Sequence, residues 1–372
     1  MAKHEIRIDR AVPLAAEPHL GHNRWHPGIA PVVTCEPGDE VVIETRDAFD
    51  RQFHPGASAV EVGNVDLNLV HPLTGPVYVE GAEPGDLLVV DILEVSPDAY
   101  GYTAEVPGFG FLRDEFPEPF LVKWTIEDMN ATSPDVPGVR IPGAPFMGIM
   151  GLAPSPDLMQ KIATREQALL DRGGFVLTPE PGGAVPADEP IAGEALRTIP
   201  PRETGGNMDI KQTAAGARVF FPVFTEGALF STGDAHFAQG DCEVCGTAIE
   251  MDATLRVHFD LRKGAAADRN IRDIQFERDS YVVSPELQAP KRFFATTGIS
   301  VQHDGRNQSE DLTVAARNAL LNMIDHLGAE YGYSRQQAYA ICSVAVDLKV
   351  SEMVDVPNFM VSAFLPLDIL VG

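Results

Sequence analysis

The chain has 372 residues, 44% of them hydrophobic and 22% charged, a profile that fits one elaborate core or two to three domains and excludes a disordered chain. Its 54 acidic residues against 28 basic ones give a net charge of -26. With no Lys/Arg cluster to relieve it, that charge argues against nucleic-acid and anionic-membrane partners.

The opening stretch MAKHEIRIDRAVPL lacks the apolar core of a secretory signal. No run of about 18 apolar residues marks a membrane span. Four cysteines cannot form a disulfide scaffold for a chain of 372 residues, so a soluble cytoplasmic protein is expected.

In chain order, 30 prolines and 33 glycines punctuate short runs of Val, Ile and Leu, which predicts many short strands joined by turns. EPGDEVVIETRD from Glu36 and EPGDLLVVDILE from Glu83 are alike: in each, Pro-Gly-Asp turns the chain tightly into an apolar strand. Pro145–Pro154, PFMGIMGLAP, reads as a glycine-spaced apolar loop that lets the backbone approach a ligand.

Residues 156–172 have helical spacing, with Leu158, Ile162, Leu169 and Leu170 near one face. Residues 178–201 are rich in Pro, Gly and acid and read as a surface connection. A division follows: a β-rich domain over 1–177, the connection over 178–201, and a second β-rich block with C-terminal helices over 202–372, carrying the site.

From Ser309, a natural N-cap, a helical stripe runs through Leu312, Ala316, Ala319, Leu320, Met323, Ile324 and Leu327 to Gly328 or Gly332. Ser334 and Gln337 form a capping box for a second helix that turns Ala338, Ile341 and Cys342 inward. The fold class expected is mainly β, sandwich- or barrel-like, with a helical hairpin at the C-terminal end.

Two polar concentrations interrupt the second block: RETGGNMDIK (Arg202–Lys211) and GDAHFAQGDCEVCG (Gly233–Gly246). Asn207 and Asp209, Asp234 and His236, and Asp241 and Glu243 each sit at i, i+2, a spacing that points both side chains of an extended segment to one face. Converging Asp, His and Asn groups suit a divalent ion such as Zn, Mn, Mg or Ca. Such an ion lowers the pKa of a bound water and polarises a carbonyl. Glu243 is placed to accept the water's proton and pass it to a leaving amine.

Cys242 and Cys245 are spaced C-x-x-C but lack a second pair and are read as incidental. His22, Trp25, His26 and His54 are weaker candidates beside proline turns. No phosphate loop, dinucleotide fingerprint or G-x-S-x-G elbow is present, so water is the expected nucleophile.

These segments resemble the hallmark blocks of the acetamidase/formamidase family. HNRWHPGIAPVVTCEPGDEV, HPLTGPVYVEGAEPGDLLVVDI and GIMGLAPSP resemble its other blocks in the same order, from about residue 20 to the C-terminus. The resemblance implies a β-rich fold with an α/β C-terminal part, and hydrolysis of short aliphatic amides to carboxylate and ammonia. It also implies a divalent metal ion: zinc first, with calcium or magnesium as alternatives.

The matching positions are Asn207, Asp209, Asp234, His236, Asp241 and Glu243. On this reading Asp209, Asp234 and His236 hold the ion, and Glu243 with His236 is catalytic. Asn207, Asp241 and Phe146 orient or bind substrate. Two departures stand out: Cys242 where the family has glycine, which costs strain or narrows the pocket, and Phe146 where it often has histidine. A small amide substrate and a homo-oligomer are expected. The alternatives are a urea- or guanidine-like substrate, or a non-catalytic metal- or ligand-binding β-sandwich.

Overall fold

The computed structural model describes residues 2–279 and 292–371. The two Pro-Gly-Asp turns form alike. Gly38 and Gly85 take left-handed φ values of +98° and +95°, which at the third position of a type II turn favours glycine. Asp39 and Asp86 then accept the N–H of Glu36 and Glu83 at 3.2 and 2.8 Å. The strands launched, Glu40–Thr45 and Leu87–Pro97, lie on either side of Ala253–Arg262. The similar sequences therefore become two similar strands of one sheet.

That sheet has six strands, in the order Lys3–Ile6, Glu40–Thr45, Ala253–Arg262, Leu87–Pro97, Ala217–Pro222 and Gln275–Arg278. Along Ala253–Arg262 the residues Ala253, Leu255, Val257 and Phe259 are buried, while Thr254, Arg256 and His258 are half-buried. That period of two gives the sheet an inner and an outer face. Its inner face shares one apolar cluster with a twelve-stranded sheet.

Through the middle of the larger sheet run Phe120–Glu127, Tyr100–Glu105, Glu250–Met251, Phe230–His236, Phe146–Gly151 and Gly205–Asn207, side by side. Residues Phe146–Gly151 are thus a central strand rather than a loop. Both large sheets draw strands from either side of residues 178–201. Within 178–201 the carbonyls of Glu180 and Gly182 accept from the buried Arg24 guanidinium, and Leu196–Arg197 pairs with Arg24–Trp25.

Ser155 caps the helix Pro156–Leu170, which rests on the protein by a narrow contact line. Ile162 is buried against Trp25, Leu73, Ile149 and Leu196, whereas Leu169 and Leu170 are 42% and 38% exposed. The expected four-leucine/isoleucine face is therefore only partly used.

At the C-terminal end, helix Leu312–Tyr331 covers the three-stranded sheet Phe293–Ile299, Met360–Pro366 and Asp347–Glu352, and pairs with helix Arg335–Ala345. Asp311, not Ser309, is the N-cap, its Oδ1 accepting from Thr313 and Val314 at 2.8 and 3.1 Å. The left-handed φ of +61° at Glu310 turns the chain just before the helix, which delays its start. Gly332 ends it at φ +77°, and the Ser334–Gln337 capping box forms. Cys342 is fully buried in the core.

Candidate active site

Strand Phe230–His236 is buried along its whole length, so its polar residues must find partners inside. Register sets His236 opposite Glu250 on one side and Phe146 on the other. His236 Nε2 lies 3.2 Å from Glu250 Oε2, 3.3 Å from Asp234 Oδ1 and 3.8 Å from Glu243 Oε1. The Glu250 approach is a charge contact without hydrogen-bond alignment.

His236 Nδ1 is 2.8 Å from Gln239 Oε1, and Gln239 Nε2 donates to the Asp209 carbonyl at 2.8 Å. Since that amide nitrogen is committed to a carbonyl, Oε1 accepts. Nδ1 therefore carries a proton, and Nε2 faces the carboxylates.

Asp209 reaches the same centre from another strand. Gly205–Asn207 pairs with Phe146–Gly151, Asn207 opposite Ile149, and the chain then turns with Asp209 at φ +50°. The N–H groups of Met208 and Asp209 both reach the Gly148 carbonyl, at 2.9 and 3.3 Å. A Cβ on Gly148 would lie 2.7 Å from His236 Cε1 and 2.8 Å from both Asp209 Oδ1 and Asp234 Oδ2. A residue without a side chain is what lets these three groups meet.

One ligand atom each from Asp209, Asp234 and His236 lies within 4.8 Å of the others, and so does one each from His236, Glu243 and Glu250. Burial pushes Asp209 up to about 7 and Glu250 up to about 8. Burial, with the neighbouring Asp209 charge, lifts Glu243 well above the carboxylate range. Burial also works against ionised Asp234, yet the positive charge of His236 holds it well below the ordinary value. Burial would likewise lower His236, but Glu250 and Asp234 raise it well above.

The cluster thus gathers more carboxyl groups than one imidazole can offset if all are ionised, and burial favours the protonated form of Asp209, Glu243 and Glu250. Asp209 Oδ1 is buried with no hydrogen-bond partner. Carboxylate oxygens, one oriented imidazole and an orphaned oxygen over a glycine cradle are a donor set that fits a divalent cation.

Asp234, Glu243, Glu250, Asn207 and His71 open onto one cavity of about 50 Å³, whose other walls include Phe49, Val70, Val106, Phe109 and Ile199. It has room for a molecule of a few heavy atoms. Of the residues expected at the site, Asn207, Asp209, Asp234, His236 and Glu243 come together.

Asp241 does not reach this cavity. Its N–H donates to Asp347 Oδ1 at 3.1 Å, and its carboxylate lies 3.6 Å from Lys211 Nζ. The i, i+2 argument fails there because Cys242 and Glu243 take left-handed φ values of +83° and +44°, a turn rather than a strand. Phe146 packs edge-on behind His236, centroids 5.1 Å apart, and is not a wall of the cavity. Cys242 is exposed and Cys245 buried, both unpaired. His22 bonds Ser231, His26 bonds Glu194 and His54 closes its own turn, so none joins the site.

His71, Thr198, Gln239 and Glu250 escaped the sequence reading. Only Glu250 carried a signal, as a lone acid inside the apolar run TAIEM.

The family model for the Acetamidase/Formamidase family matches residues 7–371. An acetamidase of Mycolicibacterium smegmatis is 42% identical over 362 residues, covering 90% of this chain and 86% of that protein. A formamidase of Methylophilus methylotrophus is 38% identical over 368 residues, covering 94% and 89%. The solved structure of a gamma lactamase from Delftia acidovorans superposes with a TM-score of 0.93 at 36% identity, covering 100% of this chain and 94% of that one. With the family's pattern matched from residue 7 to residue 371, the chain belongs to the acetamidase/formamidase family.

Proposed function

We propose that the chain hydrolyses short linear amides in this cavity, R–CO–NH2 and water giving R–COO⁻ and NH4⁺. The observation that carries the reading is the buried cluster of Asp209, Asp234, His236, Glu243 and Glu250 beside a space of about 50 Å³ with an apolar wall for R. Asp209, Asp234 and His236 are assigned as ligands of a divalent cation, zinc before calcium or magnesium because an imidazole joins the carboxylates. When bound, such an ion supplies Lewis acidity to a carbonyl oxygen and to water.

Glu243 takes the proton from the attacking water and returns it to the nitrogen as the C–N bond breaks, so that ammonia leaves rather than an amide anion. Burial and the adjacent Asp209 raise its affinity for that proton. Asp241 is not carried into this mechanism, since its carboxylate faces Lys211 and Gln212. The same reading places the protein in the cytoplasm, where its four unpaired cysteines stay reduced. A homo-oligomer would cover sheet edges that have no partner strand among the described residues, such as Gln275–Arg278 and Asp347–Glu352.

The likeness to a gamma lactamase favours a second reading, a small cyclic amide opened by the same water addition. Ammonia release from formamide, acetamide, propionamide and urea, and ring opening of 2-pyrrolidone, would be measured before and after chelation and metal add-back. Release from the smallest linear amides, abolished by chelation, is expected. Glu243→Gln should cut kcat by about 10²- to 10⁴-fold while acetamide still binds. No turnover of any linear amide by metal-replete protein would sink the linear-amide reading, and ring opening alone would put the lactam in its place.

A further inference from the structure

We propose that His71 and Asn207 form a carboxamide-recognition pair: His71 Nε2–H donates to the substrate carbonyl oxygen, and Asn207 Oδ1 accepts from its NH2 group. The inference rests on the amidase reading and adds to it a residue, a protonation site and a reason for amide selectivity.

The argument begins at Thr198, which is fully buried. Its Oγ1 accepts the main-chain N–H of His71 at 2.7 Å and lies 3.1 Å from the same residue's Nδ1. Among the described residues, that ring nitrogen is the one acceptor within reach of the Thr198 hydroxyl proton. Were Nδ1 protonated, the buried hydroxyl proton would have nowhere to go, a loss that buried polar groups rarely sustain. The hydroxyl therefore donates to Nδ1, and the neutral imidazole carries its proton on Nε2. His71 lines the cavity, and its Nε2 has no hydrogen-bond partner among the described residues.

Asn207 is fixed by the next residue along. Its Nδ2 donates to the Ile199 carbonyl at 3.0 Å. A carbonyl can only accept, so the amide cannot be turned round. Oδ1 is left buried with no hydrogen-bond partner, on a residue that lines the same cavity. Two adjacent residues, Thr198 and Ile199, thus present one donor and one acceptor to a space of about 50 Å³.

A carboxamide is the complement of that pair, since it offers one acceptor and two donors in a plane. A carboxylate offers acceptors alone and meets Asn207 Oδ1 lone pair to lone pair, so the product acid is poorly held. An ester likewise lacks the N–H that Oδ1 needs. Both members of the pair are uncharged, so they select by hydrogen-bond polarity, in addition to the repulsion that ionised Asp234 in the same cavity wall exerts on an anion.

The test uses metal-replete protein with acetamide as substrate, acetate as competitor, and circular dichroism to show that each variant folds. His71→Phe keeps the ring volume and removes the donor, and should lower kcat/KM by about 10²-fold, the effect of losing one donor to a developing oxyanion. His71→Gln should recover part of that loss. Thr198→Val frees the tautomer and should cost roughly tenfold, the worth of one orienting hydrogen bond, with Thr198→Ser restoring it. Acetate should inhibit only at concentrations far above the KM for acetamide.

A long-range ¹H–¹⁵N spectrum of the unmodified protein should show His71 protonated on Nε2, a readout that needs no variant. Protonation on Nδ1, an unchanged kcat/KM in His71→Phe, or acetate binding as tightly as acetamide would overturn the pair. If the unmodified protein releases no ammonia, the amidase reading fails by itself, and calorimetry of acetamide binding then decides. Weaker binding by His71→Phe than by the unmodified protein supports the pair, and equal or absent binding overturns it.

Discussion

Cys242 shows how one residue can be strained without touching the chemistry. It stands at φ +83°, a conformation that side chains avoid, yet its thiol is exposed and lies outside the cavity walls. Cys242→Gly should therefore raise stability by about 0.5–1 kcal/mol, the relieved strain less glycine's extra chain entropy. A higher urea midpoint with an unchanged slope would show it. Glu105 is a second residue with a cost of its own: both carboxyl oxygens are buried without partners, and burial pushes its pKa up to about 9. A raised folded-state pKa means that the stability held below the unfolded value near 4.5 is lost as pH rises towards 9. The slope is about 1.4 kcal/mol per pH unit. Glu105→Gln should remove it, so urea melts at pH 6 and pH 8 should show the variant gaining on the parent protein as pH rises.

At the scale of elements, the site is a product of strand pairing. Register sets His236 beside Glu250, and a third strand delivers Asp209 from the opposite direction over Gly148. Cross-strand neighbours lie about 4.5–5.5 Å apart, so only a missing side chain lets these three polar groups close to contact. In Gly148→Ala the new methyl group would sit within 2.8 Å of Asp209 and Asp234 oxygens. The strand is held on both sides by Phe230–His236 and Gly205–Asn207, so the side chains must give way rather than the backbone. Activity should fall by about 10²-fold, as for a displacement near 1 Å. Bound metal, measured by plasma emission on dialysed protein, should fall with it, and full metal content with full activity would refute the argument.

For the whole molecule, the proposed ion would tie stability to the balance of buried charge. Without a cation, Asp209, Asp234, Glu243 and Glu250 would surround His236 alone, with neutral His71 beside them. Chelation should lower unfolding free energy by about 3–4 kcal/mol if the ion is held at a hundred to a thousand times its Kd. Differential scanning calorimetry with and without chelator should show a lower Tm that metal restores. An identical Tm would count against a structural contribution from the ion.

Local chemistry was legible without the structure. The Pro-Gly-Asp turns, the Ser334–Gln337 capping box, the burial of Cys342 and the polar stretch around Asp234 and His236 each depend on residues a few positions apart. Short-range sterics and hydrogen bonds decide such features. Non-local features were not legible. Glu250 and Gln239 join His236 through strand register and a returning loop, and His71 meets Thr198 across 127 positions of sequence. Asp241 was misread because a left-handed turn at Cys242 and Glu243 replaced the extended backbone that its spacing assumed. The sequence by itself determined the residue types, turns and caps, and so the family. Only the tertiary structure decided which polar groups share that site, because convergence depends on sheet order and backbone hand, and neither is encoded in the spacing of any one segment.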